Sequence, residues 1–70
     1  MITRIGIAAG EVWHFLDSHG QAKLEDVLSN IDKPRDILLM SIGWLAREGH
    51  VVLNNDGESY LLILRKAEVG

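Results

Sequence analysis

The stretch LLMSIGWLAREGHVVLNNDGESYLLIL (38–64) changes its hydrophobic period halfway, and the change falls on a glycine. Up to Glu48 the apolar residues follow helical spacing. From His50 onward they form two aliphatic runs rich in β-branched and large residues, which suit strands. Gly49 is the helix stop, because glycine tolerates the left-handed backbone that ends helices. Asp56-Gly57 is a two-residue hairpin signal, since both positions of that turn favour φ > 0. With this loop, Asn55 pairs with Glu58, Leu53 with Tyr60 and Val51 with Leu62. One face of the hairpin then carries Val51, Leu53, Tyr60, Leu62 and Leu64. The other carries His50, Val52, Leu61 and Ile63. A four-residue loop keeps these faces, whereas a three-residue loop exchanges them.

Three helical segments precede the hairpin. In residues 4–18, Ile5, Ala8, Ala9, Val12 and Leu16 mark one buried face, and Gly20 ends the segment. In residues 21–31, Leu24, Val27, Leu28 and Ile31 fall at i, i+3, i+4 and i+7. Glu25 and Asp26 stand early, where they complement the helix dipole. The third helix runs from about Pro34 to Glu48. Asp32 is expected to cap it, and Pro34 suits a first turn because it has no N–H to leave unpaired. A short strand over 21–23 would complete a sheet. The expected fold class is therefore α+β and mainly α: a winged helix-turn-helix of three helices and a two-stranded wing. It occupies residues 1–65, with 66–70 as a C-terminal tail.

The segments GIAAGEVWHFL and MSIGWLAREG, with the LAREGHVV junction, resemble a small family of stand-alone winged-helix proteins from bacteria and archaea. That family carries a domain-of-unknown-function label. The resemblance spans about residues 5–64. It implies the winged-helix fold and a regulatory role, and brings no catalytic residues and no ligand.

A DNA-reading winged helix lays its third helix in the major groove and offers donors and acceptors to base edges. On a helical wheel, the face with Ile37, Ser41, Trp44 and Leu45 is expected to turn inward. The opposite face shows Arg35, Leu39, Ile42, Gly43 and Ala46, with Asp36 and Arg47 at its margin. Its centre is aliphatic or small. The cations available for phosphate are Lys33, Arg35 and Arg47. The wing tip, Asn54-Asn55-Asp56-Gly57-Glu58-Ser59, holds two carboxylates and no cation. Seven Lys+Arg against ten Asp+Glu give a net charge of −3. Nucleic-acid affinity draws largely on basic patches, so this balance disfavours DNA.

The third helix is apolar on nearly every side, a pattern normal for a helix buried all round. A chain of 70 residues buries only about 60% of the surface its unfolded form exposes. Two elements thus carry a second apolar face, the kind of patch that marks an interaction site. The expected interface comprises Leu39, Ile42, Gly43 and Ala46, joined by Leu61 and Ile63, and the expected partner is a second copy or another protein. Trp13 and Trp44 are read as core or interface anchors. With Trp44 inward, its truncation to alanine would cost about 3–5 kcal/mol.

No enzyme is legible. The sequence has three histidines and no cysteine. His14 and His19 miss the i, i+4 spacing of paired ligands on one helix face. Gly6-Ile7-Ala8-Ala9-Gly10 lies inside a helix with no Lys-Ser/Thr after it, so it is no phosphate loop. Gly10 is read instead as a point of close helix packing. No carboxylate pair is embedded among apolar residues in a way that would tune it for acid–base chemistry. No cofactor is expected. With no long apolar run and no disulfide, the expected location is the cytoplasm. The reading is a non-enzymatic winged-helix regulatory or interaction module acting as a homodimer, with a DNA-binding transcriptional regulator as the alternative.

Overall fold

A computed structural model describes residues 2–55 and 57–65. The chain runs α1 (Ile2–His19), β1 (Gln21–Lys23), α2 (Leu24–Asn30), α3 (Arg35–Arg47), β2 (Val51–Asn55) and β3 (Tyr60–Leu64). The strands form one antiparallel sheet in the order β1-β3-β2. This is the expected three-helix body with a wing, and β1 supplies the third strand. The segment read as one helix over 21–31 divides: Gln21–Lys23 pairs with β3, and the helix begins only at Leu24.

The helix ends follow from glycine and backbone bonding. Gly49 sits at φ 81°. Its N–H donates to the Ala46 carbonyl at 3.1 Å, and the His50 N–H donates to Leu45 at 2.9 Å. These two bonds form the Schellman closure, which satisfies carbonyls the last turn would leave unpaired. The chain reverses there and enters β2 at once. Gly20, at φ 82°, closes α1 by donating to the Leu16 carbonyl. The start of α3 differs from expectation. Pro34 is the extended N-cap residue, and no side chain caps the helix. Asp32, two residues before Pro34, is not the cap. Asp36 Oδ1 instead accepts the Ile37 N–H at 2.8 Å.

The core draws on every helix and on the sheet. Ala8, Ala9, Val12 and Leu16 of α1 meet Ile37, Leu38, Ile42 and Leu45 of α3, with Val27, Val51, Leu62 and Leu64 closing the sides. The two alanines let α3 approach α1 closely. Ser41 is fully buried at that seam. Its hydroxyl lies 2.7 Å from the Ile37 carbonyl and 3.1 Å from the Ile5 carbonyl of α1. A buried hydroxyl without a partner costs about 1–3 kcal/mol; here its proton always has an acceptor.

The inward face of α3 is turned from the expected one. Trp44 stays 48% exposed, while Leu38 and Ile42 are buried with Ile37, Ser41 and Leu45. Leu38 and the small Ser41 fill the inward side of the helix, and Trp44 falls outside it.

In the wing, Asn55 pairs with Tyr60, Leu53 with Leu62 and Val51 with Leu64. The expected pairing is therefore displaced by two residues, and the loop has four. Asn55 Oδ1 accepts the Gly57 N–H at 2.8 Å, so Asn55 initiates the turn with its side chain. An even displacement leaves both hairpin faces as expected. Asp56 and the tail 66–70 lie outside the described residues. Among the described residues, no helix is long and apolar enough to cross a membrane.

Candidate interaction surface of the third helix

With its buried stripe turned to α1 and the sheet, α3 presents the other half of its circumference outward. Leu39 (40%), Met40 (41%) and Trp44 (48%) are exposed there, as is Gly43. Exposed leucines scattered singly are ordinary. These residues are contiguous, because Leu39–Gly43 and Met40–Trp44 stand four apart and Met40–Gly43 three apart, the spacings that adjoin on a helix surface.

An apolar depression lies on each side of this ridge. On the α1 side, a hollow of about 330 Å³ runs between Gly6, Gly10 and Trp13 of α1 and Trp44 of α3, with His50 at one end. The His50 ring sits 6.5 Å from the Trp44 ring. On the wing side, a hollow of about 180 Å³ is bounded by Leu24, Leu39, Gly43, Leu53 and Tyr60, with Ile42 and Leu62 among its walls. A Cβ added at Gly6, Gly10 or Gly43 meets nothing within 4 Å. Gly10 thus serves no close packing inside this chain, against expectation. A glycine inside a helix costs about 1 kcal/mol relative to alanine, and among the described residues no neighbour compensates for it at these three positions.

The expected interface residues separate. Leu39 and Gly43 are open to solvent. Ile42 is not on the outer face: it is only 4% exposed and belongs to the core, reaching the surface just as part of the wing-side wall. Its displacement has the same origin as that of Trp44, the different phase of the helix. Ala46 is half-buried. Leu61 and Ile63 are also half-buried, because β3 is the central strand and stands between Lys23 and Gln21 of β1 and Asn54 and Val52 of β2. The face they share with Val52 carries an exposed apolar edge, Val52 itself being 45% exposed.

The expected phosphate-binding cations also separate. Lys33 Nζ lies 3.5 Å from Glu11 Oε2, and Arg35 Nη2 lies 3.6 Å from Glu25 Oε1. Arg47 is exposed on the last turn of α3. The wing exposes Asn54, Asn55 and Glu58. A phosphate backbone approaching this side meets a carboxylate beside each of two cations, with one more on the wing.

Sequence reasoning missed the α1-side hollow and the exposure of Met40. Gly6, Gly10 and Trp13 recur at i, i+4 and i+7, so their common flank could have been read from spacing alone.

Comparison with known proteins agrees with this architecture. A family model described as a winged helix-turn-helix domain (DUF2582) matches residues 1–64. An uncharacterised protein of Methanocaldococcus jannaschii is 30% identical over 64 residues, covering 89% of this chain and 91% of that protein. No solved structure matches significantly. The three helices, the helix stops Gly20 and Gly49 and the wing all fall within the matched span, and the chain belongs to the DUF2582 winged helix-turn-helix family.

Proposed function

We propose that this chain is a non-enzymatic regulatory module of the cytoplasm that works through protein contacts, and that it self-associates as a homodimer. One observation carries the reading. The outward face of α3 is the face a DNA-reading winged helix inserts into the major groove. Its centre exposes Leu39, Met40, Gly43 and Trp44, with Asp36 and Arg47 toward its two ends. None of the four central side chains donates to the guanine or adenine edges of the major groove in the usual bidentate manner. Apolar surface with hollows on both flanks suits another protein better.

The family's fold also suits a DNA-binding regulator, and fold alone decides neither. In that second reading Lys33, Arg35 and Arg47 of both copies touch phosphates. Six such contacts would cost affinity about 10³-fold between 50 and 200 mM salt. Sedimentation velocity from one to one hundred micromolar, followed by titration of labelled random duplex at 50 mM salt, separates the two. The expected result is a concentration-dependent shift to twice the monomer mass with no tight duplex binding. A monomer throughout overturns the homodimer, and salt-steep duplex binding lost in Arg35→Ala overturns the protein-contact reading.

A further inference from the structure

The outermost line of α3 is complementary to itself when reversed. Asp36, Met40, Gly43 and Arg47 stand at i, i+4, i+7 and i+11, and all four are exposed. At 100° per residue they fall within an arc of about 60°. That arc lies opposite the buried stripe of Ile37, Leu38, Ser41, Ile42 and Leu45. Read in one direction the line is acidic, large, small, basic. Read backwards it is basic, small, large, acidic.

We infer that a second copy of this chain docks its α3 antiparallel on this line, about a two-fold axis midway between Met40 and Gly43. Asp36 of each copy then faces Arg47 of the other, and Met40 of each faces Gly43 of the other. Both contacts occur twice, as an isologous interface requires. The helix dipoles oppose each other favourably, and each end charge already suits its own helix terminus. Gly43 gains a purpose the monomer does not give it. A Cβ there would meet nothing within 4 Å, so the space over its backbone is open to receive a methionine side chain. A parallel arrangement loses all of this, because Asp36 then faces Asp36 and Arg47 faces Arg47.

Size is consistent with the pairing. A standard interface takes about 800 Å² from each partner, about one-sixth of the 4857 Å² this chain exposes. The line on α3 is narrower than that. The flanks must contribute, and Leu39, Trp44, Leu53 and Tyr60, each at least 40% exposed, adjoin it on both sides.

This arrangement rests on the homodimer proposed above, and the test keeps the two apart. Full-length Asp36→Arg and Arg47→Asp variants are compared with wild type by sedimentation over a dilution series, alone and mixed in equal amounts. Each variant alone places like charges opposite each other at both contacts. Its self-association should weaken about ten- to thirtyfold. The equimolar mixture restores opposite charges at both contacts of the heterodimer. It should recover wild-type association to within about threefold, which no defect in folding of either variant could produce. A Gly43→Gln variant, a better helix former than wild type, should keep a cooperative melt yet weaken association about tenfold. A wild-type monomer at every concentration removes the homodimer and this pairing together. A wild-type dimer whose variants associate normally, or whose mixture shows no recovery, removes the antiparallel pairing and leaves the homodimer in place.

Discussion

The two halves of α3 are almost equally apolar in sequence and have opposite fates. The inner half is consumed: Leu38 and Ser41 are fully buried, and Ile37, Ile42 and Leu45 nearly so. The outer half holds Leu39, Met40 and Trp44 open to solvent. What separates them is what lies opposite. Ala8, Ala9, Val12 and Leu16 of α1 pack with the inner side in one core. Among the described residues, no element stands over the outer side. Hydrophobicity alone therefore does not assign a face in a small domain; the availability of a covering layer does.

Leu38→Ala attacks the inner half and carries the largest expected effect. Its side chain has no exposed surface, so its removal loses transfer energy and leaves a cavity. Such truncations cost about 2–5 kcal/mol, a large share of what a domain of this size has. Chemical denaturation should place the midpoint far below wild type. A loss under 1 kcal/mol would mean that the α1–α3 seam is not the core. Trp44→Ala makes the same cut on the outer half. Half of the indole already meets solvent, so the expected loss is about 1.5–2 kcal/mol in the monomer. This is well short of the 3–5 kcal/mol that a buried tryptophan would give. Measured below the concentration at which the chain associates, a loss above 3 kcal/mol would restore Trp44 to the interior and erase the contrast.

The same contrast explains what was legible in the residues. Element order, the stops at Gly20 and Gly49 and both hairpin faces follow from local chemistry, because glycine geometry and alternation act within a few residues. The phase of α3 does not. The helical wheel alone turns Trp44 inward with Ile37, Ser41 and Leu45. The burial of Leu38 and Ile42 instead of Trp44 depends on packing against α1 and the sheet, partners remote in sequence. The wing register differs by two for a local reason that composition conceals: Asn55 accepts the Gly57 N–H with its side chain and so starts the turn itself. For the surface, the wheel placed Leu39 and Gly43 outward and misplaced Ile42 together with Trp44, a single error of phase. The carboxylates beside Lys33 and Arg35 were beyond any periodicity argument, since Glu11 and Glu25 come from α1 and α2.

Arg35→Ala gives the smallest expected effect and sharpens the contrast from the side of charge. Arg35 and Glu25 stand 3.6 Å apart with nearly two-thirds of each side chain exposed. Pairs of this kind contribute about 0.2–1 kcal/mol and weaken with salt. The substitution should therefore lower stability by about 0.5 kcal/mol or less in low salt and by nothing measurable in high salt. It should leave self-association unchanged, because Arg35 lies on the wing-side flank of α3, off the line through Asp36 and Arg47. Paired thermal melts at low and high salt, with sedimentation on the same samples, make the comparison. If removing Arg35 dissociates the chain as strongly as reversing Arg47, the contact surface wraps toward the wing, and the outer half of α3 is only its edge.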